Sequence, residues 1–263
     1  MRKIVLVDDP EARERLFPFS LTRPLPEIRI GITTLAEKWA HFLGGEVGYA
    51  TAPYLSVKYP ERSLQDSLFI WSHLLPNVPI ASALGSLQEG QALVHGQNLI
   101  GWTGQKNPGL DRLKQIPWTG PIQWLEHPFQ IFQWNGQLIR EDFAWITASR
   151  KSAPVCSTNH LTCPDQIFLE EGAQVEHAFL NATQGPIYIG KDAQVMEGAM
   201  IRGPFSLGLK SVVKMGATIY GATSFGPHCC MGGEIKNTVV FGYSNKAHGG
   251  YLGDTVVGEW CNL

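Results

Sequence analysis

Short apolar runs and helical patterns alternate along the first 150 residues. The run Lys3–Val7 is continuous and ends in two aspartates, which predicts a buried parallel strand with polar groups at its carboxyl end. Thr34 and Glu37 have capping-box spacing, an apolar stripe follows, and Gly44 ends the pattern, which predicts a helix. The run Leu68–Trp71 predicts a further strand. This alternation predicts an open α/β sheet of the Rossmann-like type.

Such a sheet binds its ligands at the carboxyl ends of its strands. The carboxyl end of the first predicted strand therefore makes Asp8, Asp9 and the loop that follows them a candidate ligand site. Tryptophans in the same region suit either a stacking platform for a sugar or base, or buried packing. They are Trp102, Trp118, Trp124 and Trp134.

From about residue 165 the chain is rich in Gly and β-branched residues, and large apolar residues recur at every sixth position. They are Ile189, Val195, Ile201, Leu207, Val213, Ile219, Phe225 and Met231. A small residue follows most of them four positions later, as at Ala193 and Ala199. A period of six with these residue types is typical of a hexapeptide β-helix, in which three hexads make one triangular coil. Leu169 and Val175 indicate that the helix begins just after a connector.

The period is interrupted after Ile235 and resumes in a shifted phase at Tyr251, Val257 and Leu263. The interruption predicts that the segment 236–250 contains a loop ejected from the prism. Loops on a rigid scaffold commonly carry function, so this segment is a candidate site.

The change in the sequence pattern along the chain predicts three segments. Residues 1–150 form an α/β domain, the polar and proline-punctuated residues 151–166 form a linker, and residues 167–263 form a parallel β-helix. The left-handed winding is expected from the hexapeptide fold class and not from the residues. Because the last coil stops at Leu263 without a cap, we expect either a fragment of a longer protein or a shortened relative.

Composition narrows the class of function. The chain has 263 residues with 21 basic and 23 acidic side chains, a net charge of −2, which argues against binding nucleic acid by bulk charge. No apolar run reaches the roughly 18–20 residues of a membrane span, and the start is too polar for a secretory signal. Five cysteines, an odd number, fit a protein with reduced thiols. We therefore expect a cytoplasmic protein with neither a nucleic-acid nor a membrane partner.

The segment Ser244–Asp254 reads Ser-Asn-Lys-Ala-His-Gly-Gly-Tyr-Leu-Gly-Asp, and Gly258 and Asn262 follow at regular spacing. It resembles the acetyltransferase half of the bifunctional family that combines N-acetylglucosamine-1-phosphate uridyltransferase with glucosamine-1-phosphate acetyltransferase. The resemblance implies an acetyl-coenzyme A co-substrate and a homotrimer with sites between subunits. Without the family's later coils, acetyl transfer is expected to be weak or absent.

The same resemblance implies a role for each matched residue. His248 would be the general base, Lys236 would hold the sugar phosphate, and Tyr251 and Asn262 would contact the sugar. Lys214, in Lys-Met-Gly-Ala, is similar to a second phosphate ligand. The chemistry fits, because a base of near-neutral pKa can take a proton from an amine and cations bind phosphate. Against this, a lone histidine in a Gly-rich loop is often merely structural.

The stretch Arg15–Gly31 resembles the signature of sugar-1-phosphate nucleotidyltransferases, in a divergent branch of the bifunctional family. Two features depart from the common signature: residues 8–15 contain no glycine, and Leu25 stands where the family has lysine. The resemblance implies that cationic residues neutralise the nucleotide phosphates in place of the glycine-rich turn. They are Arg15, Arg23, Arg29 and Lys38.

A carboxylate such as Asp8 or Asp9 would hold Mg²⁺ together with the substrate phosphates. The alternative for Arg23 and Arg29 is a place in ion pairs at the surface or sheet edge.

Two hypotheses follow for the function. The first is a transferase of amino-sugar nucleotide metabolism that joins a sugar 1-phosphate to a nucleotide from a UTP-type triphosphate, with an acetyltransferase module behind it. The second is a non-catalytic protein that binds a sugar nucleotide and uses its β-helix as a trimerisation scaffold.

Overall fold

The computed structural model describes residues 3–61, 67–106 and 109–263. The chain forms two compact units. The sheet unit comprises Met1–Ile28 and Thr34–Pro128, and the solenoid unit comprises Arg29–Thr33 and Phe129–Leu263. The sequence predicts a boundary near residue 150, whereas the compact units divide at residue 128.

The sheet unit is built on a mixed sheet that has six strands among the described residues. They are β1 (Lys3–Val7), β2 (Val47–Ala50), β3 (Ser67–Trp71), β4 (Gln91–His95), β5 (Asn98–Thr103) and β6 (Lys114–Pro117). Their order is β2-β1-β3-β5-β4-β6, and β5 runs antiparallel to both of its neighbours. The same unit contains α1 (Pro10–Arg15), α2 (Leu35–Leu43) and α3 (Val78–Gly85). The predicted open α/β sheet is confirmed, with one antiparallel strand in it.

Strand β1 and helix α2 show the burial and the capping that their sequence patterns predict. Four of the five residues of β1 are buried, as expected for a strand covered on both faces. The Thr34 hydroxyl accepts from the Glu37 amide and the Glu37 carboxylate accepts from the Thr34 amide, which completes the capping box. Gly44 ends the helix in the left-handed conformation, with φ 67°.

The solenoid unit winds as a parallel β-helix with three faces. The first face contains β7 (His160–Thr162), β10 (Phe179–Asn181), β13 (Met200–Arg202) and β16 (Thr218–Ile219). The second contains β8 (Ile167–Leu169), β11 (Ile187–Ile189), β14 (Phe205–Leu207) and β17 (Thr223–Phe225). The third contains β9 (Gln174–Val175), β12 (Gln194–Val195), β15 (Val212–Val213), β18 (Cys230–Met231) and β20 (Asn245–Lys246). Two longer strands, β19 (Glu234–Gly242) and β21 (Tyr251–Glu259), run across the corner between the first and second faces.

The predicted period of six is confirmed. All eight large apolar residues of the hexads, from Ile189 to Met231, point inward and are at most 2% exposed. Each buried aliphatic side chain stabilises the fold by roughly 1.5–3 kcal/mol. The winding begins earlier than predicted, because β7 lies inside the expected linker and pairs with β10.

The prediction of an ejected loop at 236–250 is wrong. Strands β19 and β20 occupy most of this segment, and the coil is shortened rather than interrupted. Leu207 pairs with Phe225 eighteen positions later, but Phe225 pairs with Val240 only fifteen positions later. This shortening explains the phase shift that the sequence displays. Of the residues predicted to resume the period, Val257 is buried, but Tyr251 and Leu263 are 60% and 59% exposed.

Helix α4 (Pro128–Thr147) belongs to the solenoid unit apart from its first residue. Its buried Asn135 amide donates to the Ala222 carbonyl at 2.7 Å and accepts from the Ser224 hydroxyl at 3.0 Å. Asp142 on the same helix accepts from the Ile32 amide at 2.8 Å. These buried contacts bind α4 to the solenoid, which is why the compact boundary precedes residue 150. Among the described residues, no helix has both the length and the apolar character to cross a membrane.

Candidate functional site

A cavity of about 430 Å³ lies at the carboxyl edge of the sheet in the sheet unit. Strands β1 and β3 are parallel and both end there, and the turn between β4 and β5 reaches the same edge. The residues that line it come from these strand ends and from the segment 124–126. They are Asp9, Glu11, Arg15, Trp71, His73, Gln97, Asn98, Leu99, Trp124 and Glu126. The cavity is where the sequence places a ligand site, after β1.

One wall of the cavity is aromatic. The Trp124 ring lies 4.7 Å from the His73 ring, centroid to centroid, at an interplanar angle of 33°. Trp71, at the end of β3, packs against the buried Trp102 at 5.3 Å. Flat rings at the rim of a polar cavity suit stacking with a base or a sugar. Of the four tryptophans that the sequence singles out, Trp124 is therefore the one in the site, whereas Trp102 belongs to the core.

Arg15 supplies the positive charge of this cavity. Its guanidinium pairs with Glu11 at 3.6 Å and with Glu126 at 3.4 Å, and its side chain is 34% exposed. Ion pairs of this length at partly exposed positions contribute only about 0–1 kcal/mol each. The buried Nε of Arg15 has no hydrogen-bond partner among the described residues. Arg15 is therefore the one described cation in a cavity that also contains three carboxylates, those of Asp9, Glu11 and Glu126.

His73 is neutral at physiological pH. The residue is 8% exposed, and its Nδ1 atom is buried without a hydrogen-bond partner in the described part of the chain. The pKa of His73 is lowered from 6.5 to about 4, mainly by burial. The Asp9 carboxylate opposes this shift, and the Arg15 charge contributes to it. The ring therefore presents a neutral imidazole to the cavity.

This lowered pKa makes stability depend on pH in a defined direction. Between pH 4 and 6.5 the unfolded chain binds more protons at His73 than the folded protein, so the free energy of unfolding falls as the pH drops through this interval. The loss attributable to His73 is about 3 kcal/mol. Urea denaturation of the wild-type protein and of His73→Gln at several pH values measures it. The free energy of unfolding of the wild-type protein minus that of the variant should fall by about 3 kcal/mol as the pH drops from 6.5 to 4, and a constant difference would contradict the shift.

Asp8 has a structural role beneath the cavity. Its buried carboxylate accepts from Arg13 at 2.7 Å, the Thr51 hydroxyl at 2.5 Å, the Ser72 hydroxyl at 2.8 Å and the Leu25 amide at 3.0 Å. Four protein donors occupy both of its oxygens, so this carboxylate does not suit a metal ion.

Asp9 is the aspartate that faces the cavity. It caps α1 by accepting from the Ala12 amide at 2.7 Å. Within the described ranges, no three metal-ligating side chains form a cluster. Mg²⁺, however, commonly binds through one or two carboxylates together with substrate phosphates, and Asp9 provides one such carboxylate.

Arg13 is a buried organising residue that the sequence analysis does not single out. Besides Asp8, its guanidinium donates to the Ser20 carbonyl at 2.6 Å and to the Tyr54 hydroxyl at 2.9 Å. It therefore holds the loop after α1 against the end of β1. Nothing in the run Glu-Ala-Arg-Glu-Arg distinguishes this arginine from an exposed helical one.

The remaining predicted phosphate ligands do not line this cavity. Arg23 and Lys38 are buried, at 4% and 2% exposure. Arg29 belongs to the solenoid unit, where its guanidinium donates to the carbonyls of Ile32 and Phe241. From the predicted set, the structure thus brings together Arg15 and Asp9.

In the solenoid unit, two of the predicted sugar ligands are neighbours. Lys236 on β19 pairs in register with Gly253 on β21. The Tyr251 hydroxyl lies over Gly253, where a Cβ atom would meet it at 2.1 Å. Lys236 and Tyr251 are therefore adjacent on the first face, and Gly253 is required for the tyrosine to lie there.

The other predicted acetyltransferase residues lie elsewhere on the solenoid. His248 is exposed in the turn 247–250, which joins the third face to the first. Lys214 follows β15 at the same corner, and its amide bonds to the Met231 carbonyl on the next coil. The Asn262 side chain accepts from Asn245 at 2.7 Å on the third face. The structure thus groups Lys214 with His248 along one corner and places Asn262 away from Lys236.

Lys246 fixes the His248 turn, a role that the neighbouring residues in the sequence do not indicate. It occupies the inward position that Met231 holds on the preceding coil and is 7% exposed. Its ammonium donates to the carbonyls of His248 at 2.9 Å, Gly232 at 3.0 Å and Gly250 at 3.1 Å. A buried ammonium requires such partners, so the turn is fixed from inside the prism.

Comparison with known proteins identifies the first part of the chain. A family model described as sugar nucleotidyl transferase matches residues 4–151, more than half of the chain. Every residue that lines the sheet-unit cavity lies inside the matched range. A search of curated proteins finds no match.

Proposed function

The chain belongs to the sugar nucleotidyl transferase family, and we propose that it joins a nucleotide to a sugar 1-phosphate in the sheet-unit cavity. The observation that carries the proposal is the cavity itself: Arg15 faces an aromatic wall of Trp124 and His73 at the carboxyl edge of the sheet. A cation beside a flat apolar surface matches the phosphates and the base of a nucleotide.

In the proposed reaction, an oxygen of the sugar 1-phosphate attacks the α-phosphorus of the nucleoside triphosphate. A new phosphorus–oxygen bond forms in line as the bond to the β-phosphate breaks, and pyrophosphate leaves. Arg15 stabilises the charge that develops on the phosphate oxygens. Trp124 and the neutral His73 orient the base or ribose, and the amides of Gln97 and Asn98 supply donors and acceptors at the turn between β4 and β5.

Asp9 is the residue we propose for Mg²⁺, together with the nucleotide phosphates. When bound, the ion supplies neutralisation of phosphate charge. The partners of Asp8 give that carboxylate a structural role: through Arg13 it holds α1, the helix that Asp9 caps and that ends at Arg15.

The direct test incubates the protein with UTP, N-acetylglucosamine 1-phosphate and Mg²⁺ and follows pyrophosphate. Release above a blank that lacks the sugar phosphate supports nucleotidyl transfer to an amino sugar. Release only with other sugar 1-phosphates would support nucleotidyl transfer and show that the substrate is a different sugar. No release with any pair, with tight binding of UDP-sugar retained, would favour the non-catalytic alternative.

For the solenoid unit we propose the finer assignment that the resemblance implies, an acetyltransferase module that works as a trimer. The adjacent Lys236 and Tyr251 and the internally fixed turn of His248 support it. His248 would take the proton from the amine of glucosamine 1-phosphate as it attacks the thioester of acetyl-coenzyme A.

A thiol-release assay with these two substrates checks the role of His248. Without the family's later coils the wild-type rate is expected to be weak. General-base removal lowers such rates typically 10²–10⁴-fold, so any kcat that the wild-type protein shows should fall at least 100-fold in His248→Ala. His160→Ala, which replaces an exposed histidine on the first face, is the matched control and should keep its rate. Equal rates in both variants would remove the assigned role of His248.

A further inference from the structure

Three side chains of the first face form a column at its corner with the second face. The backbone pairing of successive coils aligns three buried residues that come just before the column: Ile201, Ile219 and Ile235. The residues that follow them, Arg202, Tyr220 and Lys236, therefore lie one above another with their side chains outside the prism. This set is here the Arg–Tyr–Lys column. Strands in a sheet are about 4.8 Å apart, so the two cations lie roughly 10 Å apart along the backbone with the phenol between them.

The column borders a cavity of about 450 Å³ within the solenoid unit. Its lining residues come from α4 and from the corners of three coils. They are Gly136, Arg140, Gln184, Arg202, Pro204, Tyr220, Gly221, Ala222 and Lys236. Three of these described residues are cations and none is a carboxylate, in a chain whose net charge is −2. The positive charge is thus a local property of this cavity.

The three cations differ in how they are held. The Arg140 guanidinium donates to the carbonyls of Gly136 and Gln184, both at 2.7 Å, and is fixed at the wall. Arg202 and Lys236 are exposed, and neither has an ion pair or a side-chain hydrogen bond to a described residue. A fixed guanidinium beside two cations that lack protein partners is suited to a multiply charged anion.

The other side of the column is apolar. A groove of about 300 Å³ shares Arg202 and Tyr220 with the cationic cavity and is otherwise lined mainly by apolar and uncharged residues, among them Phe179 and Met200. These two side chains are 48% and 47% exposed. A ligand with a charged end and an uncharged body would therefore find both surfaces side by side.

We infer that the Arg–Tyr–Lys column and Arg140 form a binding site for a phosphate ester or diphosphate, whose organic part lies in the Phe179 groove. Phosphate provides the double charge and the several acceptor oxygens that two guanidinium groups, an ammonium and a phenol can bind together. The site shares Lys236 with the proposed acetyltransferase site, but its lining residues differ from those of the sheet-unit cavity and it requires neither nucleotidyl transfer nor His248.

Inorganic pyrophosphate is the probe, measured by isothermal titration calorimetry. Because pyrophosphate would also bind at Arg15 as a reaction product, the titration uses Arg15→Gln protein. We expect one site to remain, and we expect Arg202→Gln or Lys236→Gln in that background to weaken it about 10-fold or more, since each removes a charged hydrogen-bond partner. Lys210→Gln, an exposed lysine at another corner, is the matched control and should leave the affinity unchanged.

The exposed positions of Arg202 and Lys236 mean that the melting temperature should not change, which separates lost binding from lost folding. Absence of binding in the Arg15→Gln background, or binding that the Arg202 and Lys236 changes leave intact, would overturn the inference. If the titration shows no such site while the wild-type enzyme still releases pyrophosphate, the inference fails and the proposed nucleotidyl transfer stands.

Discussion

Replacing Arg15 by glutamine is expected to lower kcat for nucleotidyl transfer about 100- to 1,000-fold. Arg15 is the one arginine or lysine among the described residues that line the sheet-unit cavity. In the proposed reaction it stabilises the charge that develops on the phosphate oxygens. Its two ion pairs are long and partly exposed, so the variant should lose little stability. Steady-state pyrophosphate release measures the rate, and thermal unfolding confirms that the variant is folded.

Arg112→Gln is the matched control for Arg15. Arg112 is exposed in the same unit and does not line the cavity. It should retain the wild-type kcat and KM. Full activity in Arg15→Gln, or an equal loss in the two variants, would show that the cavity charge plays no part in the reaction.

The second large effect concerns folding. Asp8→Ala should lower the free energy of unfolding by about 3–5 kcal/mol, because it leaves the Arg13 guanidinium buried without its counter-charge. It also removes the acceptor of the Leu25 amide and of two hydroxyl groups. Urea denaturation followed by tryptophan fluorescence measures the loss.

The neighbouring Asp9→Ala provides the comparison. Asp9 gives α1 one capping hydrogen bond, whose loss costs only about 1 kcal/mol. If Asp9 also holds Mg²⁺, its replacement should raise the Mg²⁺ concentration needed for half-maximal rate. Equal destabilisation by the two aspartate variants would contradict the division of roles between them.

The parts of the fold that repeat a local rule could be predicted from the sequence. The inward ladder from Ile189 to Met231 is visible because every sixth residue must fill the prism, whatever else the chain does. The capping box of Thr34 and Glu37 is visible because both groups act within one helical turn. The edge at which the cavity lies follows from β1 alone, since its end is marked by Asp8 and Asp9.

The rest depends on contacts between residues that are distant in the chain. Lys246 is an ordinary surface residue in any local pattern, and only the shortened coil puts it inside the prism. His73 gains its lowered pKa from burial, which its sequence neighbours do not reveal. Arg202 joins Lys236 through the pairing of successive coils, thirty-four positions apart in the chain.

Helix α4 illustrates the same limit at a larger scale. Its sequence predicts no preference for either unit, and the buried Asn135 and Asp142 that fix it to the solenoid are each polar residues on a mixed helix. Their partners lie near residues 222 and 32, so the compact boundary at residue 128 becomes visible only when the chain is folded.

A crystal structure of the protein soaked with UTP and Mg²⁺ tests the central claim most directly. The proposal predicts electron density in the sheet-unit cavity, with the phosphates against Arg15 and the base or ribose against Trp124 and His73. Nucleotide bound at another surface, with this cavity empty in a protein that releases pyrophosphate, would contradict it.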